Sequence, residues 1–538
     1  MRGLDFPVYK LMSAPEGHKP LLLSALLFLG LTVCGLYWYA VNDSGSMFVL
    51  FLAMALLAAV MLHAYLSGRA HFETDLLRAF GMVLSLSCVV FAFAFPPFSV
   101  PDEFHHFCSS YWMAGFFTGD SDISDSSVFL MRNEDYELYD LFSKNAGDMS
   151  RIGISDFAAI EEASSFPMSH EGGKHEVRGY EFTVGSENAF AKIGSVVGVL
   201  IARLFGMNGL GVFYFGRLFA ALQFVITILA SVRLMPFVFG KLAIVGTSLL
   251  PMSLHLASSF SYDSGIISLT ILLISYLLHL MHSEGLIGMR SMLLLSLLSA
   301  VVAPLKVVYA SVLLLVLCIP SSKFSSKKVA IVSKLAVFTA AALSLFVMRA
   351  ASVGAMASAS SGLDYRGAEA GHFYELGYFL AHPLHLFKLL FASLDHFADY
   401  YLFTMFGGSL GWLQQDLEAP KFFILIYAVL LLIALQPNAH ESNCLPGWQR
   451  VLFCAIFLIV VLGVMMSMCL GWTFDTEQLI LGVQGRYFLP VLPLMLMAFR
   501  SQRVHVSLAR PATLVIVGFS ILNMVYIMRI LSVAITLP

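Results

Sequence analysis

The sequence predicts an all-α polytopic membrane protein, with about twelve or thirteen transmembrane helices and two large outer loops carrying short interfacial helices. Three observations predict it. Of the 538 residues, 59% are hydrophobic and only 12% are charged, a composition far from that of a soluble domain. Apolar runs recur at the length, about 20 residues, that crosses a hydrocarbon core of roughly 30 Å. Lysine and arginine collect in alternate connections, as expected of cytoplasmic loops. The net charge of −3 gives no basis for a nucleic-acid partner.

In chain order the runs fall near 20–41, 47–66, 77–96, 211–232, 235–257, 262–282, 290–303, 304–320, 329–349, 421–436, 449–470, 487–500 and 512–534. The first is too long for a signal-peptide core and reads as a retained span. Residues 1–76 would hold a cytoplasmic N-terminus and the first two spans, and 77–538 the remaining spans. Pro304 interrupts 290–320, which is read either as one kinked span or as two short ones. Thirteen spans with the N-terminus inside place Arg2, Lys10 and Lys19, then Arg69 and Arg78, Arg233 and Lys241, Arg290, the Lys323–Lys328 cluster, Arg450, and Arg500, Arg503 and Arg510 on the cytoplasmic side. The segments left outside are 97–210, the 261–264 turn, the 304–306 break, 350–420 and 471–486. In the first, residues 190–205 read as an amphipathic or re-entrant helix. In the second large loop, Ala350–Gly362 reads as a flexible small-residue run, and 382–391 as a helix lying in the interface. The seven cysteines show no CxxC or zinc spacing, so neither a metal-thiolate site nor a structural disulfide is expected.

The outer segments hold the unusual polar residues. Phe95-Pro-Pro-Phe-Ser-Val-Pro-Asp-Glu-Phe-His-His-Phe107 ends one apolar run with two prolines, which cannot continue a helix. Pro101 suits the first turn of the next helix. That turn would hold Asp102 and Glu103 at the positive end of the helix dipole, with His105 and His106 one turn on. The motif fits a carboxylate–imidazole site just outside a membrane and a capped interfacial helix equally well. His170 and His175 with Glu171 and Glu176 read as a solvated loop rather than a metal site.

An ionised side chain at mid-membrane costs about 2.5–3.5 kcal/mol, so each one needs a function or an escape to the surface. Arg217 could snorkel outward. Lys306 sits at the proline break among apolar neighbours. Asp263 follows Tyr262 and could simply cap its helix. Arg486 opens a span in Gly482-Val-Gln-Gly-Arg-Tyr-Phe-Leu-Pro490, where an arginine can grip phosphate or anchor the interface beside Tyr487. Trp412 is most simply an interface aromatic. Together Asp102 and Glu103 would supply a base, and Lys306, Arg486 and Arg217 a phosphate clamp.

With Ser261-Tyr-Asp-Ser264, Lys306-x-x-Tyr309 and Gly407-Gly-Ser-Leu-Gly-Trp412 added, the motifs over roughly 77–500 resemble a bacterial family of polytopic membrane proteins. That family is catalogued as a domain of unknown function and grouped with the GT-C glycosyltransferases. The resemblance implies a GT-C-like fold in a bacterial cytoplasmic membrane, with 77–538 as the membrane core and the first two spans as additions to it. It implies transfer of a sugar from a polyprenyl-phosphate donor to a glycan or lipid-linked acceptor at the outer face. The base would be Asp102, with Glu103 as alternative. The substrate- or phosphate-binding residues would be His105, His106, Arg217, Tyr262, Asp263, Lys306, Tyr309, Trp412, Gln484, Arg486 and Tyr487. A divalent cation on His105 and His106 is the weaker alternative to a metal-free site. Region 180–205 departs from the family pattern, with Glu187-Asn-Ala-Phe-Ala-Lys192 in place of a tyrosine- and proline-rich entry. The rivals are a polymerase or ligase moving a whole glycan from polyprenyl diphosphate, a transporter or flippase of lipid-linked sugars, and a non-catalytic scaffold.

Overall fold

The computed structural model describes residues 24–33, 50, 53–58, 74–121, 128–145, 152, 154–166, 173–178, 186–359, 364–366, 369–412, 414–436, 445–500 and 511–534. Arg2, Lys10, Lys19, Arg69, His170, Glu171, Arg503 and Arg510, most of the expected span 47–66, Cys34 and Cys444 lie outside them.

The chain is predominantly helical. Among the described residues, six helices are long and apolar enough to cross a membrane: Leu77–Ala94, Gly209–Leu234, Asp263–His282, Lys327–Arg349, Gly447–Gly471 and Pro511–Ala534. The helices Val238–Leu249 and Pro251–Ala257 meet at a 67° bend next to Pro251, the geometry of a broken span or of a re-entrant loop. Of the other expected spans, 290–303, 304–320, 421–436 and 487–500 appear as the shorter apolar helices Met289–Val302, Val307–Leu317, Lys421–Ala434 and Gly485–Phe499, and Ser24–Val33 is the described part of 20–41. The 290–320 run is thus broken at Pro304, not continuous.

Four helices position the site. They are α1 (Thr74–Ala94), α2 (Glu103–Thr118), α4 (Gly209–Leu234) and α5 (Asp263–His282). Between α2 and α4 lies α3 (Ile193–Leu204), which covers the 190–205 region. Gly194 and Gly198, four apart, give α3 a flat stripe, and a Cβ on either would strike the Phe219 or Phe215 carbonyl of α4. Small residues at this spacing let two backbones approach closely. The opposite face of α3 exposes Ile193 and Val197, so the helix is amphipathic as the sequence suggested. Helix α4 starts where the Asn208 side chain accepts the Gly211 N–H at 2.9 Å, a standard N-cap.

Two departures from an all-α chain occur, within 97–210 and 350–420. Strand β1 (Val128–Arg132) pairs antiparallel with β2 (Lys174–Arg178), and β3 (Asp364–Arg366) with β4 (Glu369–Gly371). The β2 pairing takes in His175 and Glu176, and the His175 ring stacks on Tyr136 at 3.6 Å. This part of the supposed loop is therefore a strand. Further on, α6 (Met289–Val302) packs beside α7 (Lys327–Ala359). Helix α7 runs 33 residues, so residues 350–359 are helical where a flexible run was expected. Its alanine content explains the extension, since alanine is the best helix former. Helix α8 (Pro383–Phe406) starts at a proline in its first turn, and Gly407 in left-handed conformation (φ 87°) ends it.

Residues 372–374 and 473–475 are stitched together. Phe373 and Phe474 form an antiparallel bridge. Tyr374 N–H donates to the Thr473 carbonyl at 3.4 Å, and Asp475 N–H to the His372 carbonyl at 2.8 Å. This stitching leads the chain into the 3-10 segment Gly485–Val491, which carries Arg486. Gly485 is needed there because a Cβ would collide with the Tyr401 carbonyl of α8. No disulfide forms among the described cysteines.

Candidate functional site

The focal motif folds around an arginine rather than around a cap. Pro96 has no N–H, so the Ala92 carbonyl at the end of α1 loses its helical partner. Arg217 from α4 supplies the missing donor, at 2.8 Å to Ala92, 2.5 Å to Phe95 and 2.9 Å to Pro96. The same guanidinium grips Glu103 in bidentate fashion, Nε to Oε1 at 2.9 Å and the second terminal nitrogen to Oε2 at 2.6 Å. Glu103 Oε1 also accepts the Phe260 N–H at 3.2 Å. Both side chains are fully buried. Arg217 and Glu103 thus saturate one another, and neither has hydrogen-bonding capacity aimed at a substrate. The expected roles of Glu103 as base and Arg217 as phosphate ligand are replaced by a holding role.

Asp102 is placed differently. The helix begins at Glu103, with Pro101 in the preceding turn rather than in the first turn. Asp102 occupies the N-cap position in left-handed conformation (φ 59°, ψ 15°), and its carboxylate makes no capping hydrogen bond. It is exposed. Phe98 is left-handed as well (φ 62°), a conformation that costs bulky residues roughly 1–3 kcal/mol. Its surroundings hold it there. Its ring meets Phe104, Phe107, Tyr139 and Phe213, and its carbonyl accepts the Trp412 indole N–H at 3.2 Å. Trp412 is therefore a fastener between the segments 97–210 and 350–420 rather than a lone interface aromatic.

One turn along α2 from Asp102, the His106 ring stands edge-on to Tyr262 at 4.7 Å. Burial holds the His106 imidazole well below its usual pKa, the Lys192 ammonium pushes it further down, and Asp263 opposes both. His106 is therefore neutral at physiological pH. Beyond Tyr262 lies a cluster drawn from three distant parts of the chain. Lys306 Nζ donates to Asp263 Oδ1 at 2.7 Å, and Arg486 Nε lies 3.5 Å from Asp263 Oδ2. The Lys306 ammonium stands 4.3 Å from the Tyr487 ring centroid and 5.3 Å from that of Tyr262. The Arg486 guanidinium lies 5.3 Å from the Tyr487 ring. Arg486 Nε is buried with no hydrogen-bond partner. Tyr309 is buried, and its hydroxyl donates to the Tyr487 carbonyl at 2.8 Å, so it orients Tyr487 instead of facing the cluster. Asp263 opens α5 as a first-turn residue and is held by the two cations. Gln484 immediately precedes the 3-10 segment, in extended conformation. His105 lies beside His106 on α2, partly buried.

Of the thirteen residues singled out by sequence, the fold gathers His106, Tyr262, Asp263, Lys306, Arg486 and Tyr487 into one cluster. It puts Asp102 a turn away, and assigns Glu103, Arg217, Tyr309 and Trp412 to the supporting frame. One residue was missed. Lys192, at the end of the 3-10 turn Ser186–Lys192, is buried, donates to Ser109 Oγ at 2.6 Å and stands 5.5 Å from the Tyr262 ring. It falls in the region whose sequence departs from the expected pattern. The signal that could have found it is a lysine at the head of an otherwise apolar helix. Among the described residues no group of three or more histidine, cysteine or acidic side chains is arranged to hold a metal ion.

The chain belongs to the family described as predicted membrane protein (DUF2142), which matches residues 84–495. No curated protein and no solved structure matches it. With its several apolar helices, the protein is a multi-pass membrane protein.

Proposed function

We propose that this protein is a membrane glycosyltransferase of the GT-C type. It would move a sugar from a polyprenyl-phosphate donor to a glycan or lipid-linked acceptor at the outer face of a bacterial cytoplasmic membrane. The observation that carries the reading is the Lys306–Asp263–Arg486 cluster beside the helix that presents an uncapped Asp102. Two fixed cations share one carboxylate, so the trio keeps a positive charge, and Arg486 keeps an unpartnered N–H. Such a site suits the phosphate of a lipid-linked donor.

In this reaction Asp102 takes the proton of the acceptor hydroxyl as its oxygen bonds to the anomeric carbon. The bond from that carbon to the phosphate oxygen breaks, and the electron pair leaves with the phosphate. Lys306 and Arg486 stabilise the charge that develops there, and neutral His106 can orient the sugar or the acceptor. Attack opposite the leaving phosphate inverts the anomeric centre.

The test has two stages. Asp102→Asn and Lys306→Gln are assayed for restoring the surface-glycan profile of a deletion strain at normal membrane abundance. The purified protein is then given a labelled polyprenyl-phosphate sugar. Wild type should release polyprenyl phosphate and label the acceptor, and both variants should fail. Full restoration by both variants would sink the assignment. A second reading, a transporter of lipid-linked sugar, is favoured by the interrupted spans at Pro251 and Pro304, because broken helices often line transport sites. It predicts translocation of the intact donor across proteoliposomes without cleavage of the sugar–phosphate bond.

A further inference from the structure

The break at Pro304 leaves backbone groups unpaired in the middle of an apolar region. Pro304 cannot donate to the Ala300 carbonyl, and beyond it the carbonyls of Pro304 and Leu305 leave the helical ladder as the chain turns extended at Lys306 (φ −146°, ψ 123°). Both sets of carbonyls are satisfied from one neighbouring helix. Ser344 Oγ of α7 donates to Ala300 at 2.6 Å. Arg349, just over one turn further along α7, donates through Nε to the Pro304 carbonyl at 2.6 Å and through a terminal nitrogen to the Leu305 carbonyl. Most of the span containing these residues is peripheral, with only 11% of it buried. An arginine on such a helix is costly in an apolar setting, and its guanidinium grips the two residues immediately before Lys306.

We infer that Arg349 is a positioning residue: by fixing the carbonyls of Pro304 and Leu305 it sets the extended turn that delivers Lys306 to Asp263 and Arg486. The device repeats the one at the other end of the site, where Arg217 ties down the carbonyls of Ala92 and Pro96. The two serve different ends. Arg217 also neutralises a buried carboxylate. Arg349 fixes a stretch of backbone, and the next residue along that backbone is a cation of the cluster. The inference about position stands on geometry, and its consequence for phosphate rests on the function proposed above.

The test uses the full-length protein in detergent, with two readouts. The first is the rate of acylation of Lys306 by an amine-reactive reagent, read by mass spectrometry against Lys327 as an exposed reference. It requires no assumption about function. In Arg349→Gln the Lys306 rate should rise about tenfold, the factor expected when one buried hydrogen-bonding group loses its partner. In Arg349→Lys, which can still donate to both carbonyls, it should stay near wild type. In Ser344→Ala, which loosens the same pair of helices away from Lys306, it should not change. The second readout is stabilisation by inorganic phosphate, which should weaken in Arg349→Gln in step with the acylation change. An unchanged Lys306 rate in folded Arg349→Gln overturns the inference. So does an equal rise in Ser344→Ala, which would make the effect one of general helix docking. Should Arg349→Gln not fold, a Lys306 rate in Arg349→Lys far above wild type overturns it, and a wild-type rate supports it. If the Lys306 rates behave as expected while wild type shows no response to phosphate, the positioning role stands and the phosphate reading is what fails.

Discussion

Arg217 and Arg486 look alike in the sequence, each an isolated arginine in an apolar run near one end of a span. The structure uses them in opposite ways. Arg217 makes five hydrogen bonds, two to Glu103 and three to carbonyls of the proline-broken helix end. Arg486 has a long contact with Asp263, a 3.5 Å contact with the Tyr487 hydroxyl and a buried Nε without a partner. One guanidinium is fully satisfied by the protein, and the other keeps a buried Nε without a hydrogen-bond partner. The difference shows that a buried charge is not by itself evidence of a ligand site. What matters is whether the protein has already satisfied it.

The largest effect should come from the saturated site. Arg217→Met removes one partner of a buried bidentate pair and three carbonyl donors at once, and breaking such a pair costs roughly 3–5 kcal/mol. Membrane abundance and the melting temperature in detergent should both fall sharply. Glu103→Gln should fall in the same direction. If Arg217→Met instead melts like wild type but loses transfer, the comparison breaks and Arg217 belongs to the reactive site.

Next comes the neighbour of Glu103. Asp102→Asn should lower transfer by about 10²–10⁴ without loss of protein. Asp102→Gly should lose the same activity yet melt higher, because glycine adopts the left-handed backbone without strain, a gain of up to roughly 1 kcal/mol. Opposite signs on stability and activity would mark a residue held in strain for its chemistry. If Asp102→Gly melts lower than wild type, the carboxylate has a stabilising role after all.

The unsaturated site should give a smaller loss of transfer. Arg486→Gln and Lys306→Gln are each expected to reduce it by about 10²–10³, with melting within a few degrees of wild type. Loss of phosphate-dependent stabilisation in the same variants would sharpen the contrast with Arg217.

The long helices were legible because apolar length is read directly from sequence. The six long spans and the amphipathic 193–204 helix fall where the runs predict. The strands 128–132 and 174–178 were not legible, because 41 residues separate the partner ends and the signal for pairing is spread between them. Helix 350–359 was not legible because a run of small residues reads equally as a linker or as an alanine-rich helix end. In the site, proximity in sequence misled. Asp102 and Glu103 are adjacent, yet a left-handed turn between them sends one outward and the other into the core. Lys306, Asp263 and Arg486 were individually visible as misplaced charges, but only the fold shows that they meet. Lys192 was passed over because its surroundings did not match the expected pattern.

The smallest effect concerns His106, which faces the unsaturated site through Tyr262. Its pKa is held below the usual value by burial and then by the Lys192 and Arg486 charges, with Asp263 pulling the other way. Above pH of about 6.5, the ordinary histidine value, the ring is neutral whether the protein is folded or not, and it contributes no pH dependence. As pH falls through that value the unfolded chain takes up a proton that the folded chain does not. Stability should therefore drop toward acid, by at most about 1.4 kcal/mol per pH unit below 6.5. His106→Gln removes this component, so the gap in melting temperature between variant and wild type should shift in the variant's favour between pH of about 7.5 and 5.5, a window that brackets the ordinary histidine value. Bound phosphate should reduce the same slope, because an anion on Lys306 and Arg486 offsets the positive field on the ring. Parallel melting curves for the two proteins across that range would mean that His106 takes up its proton in the folded protein as readily as in the unfolded chain, and that burial and the neighbouring cations do not hold it neutral.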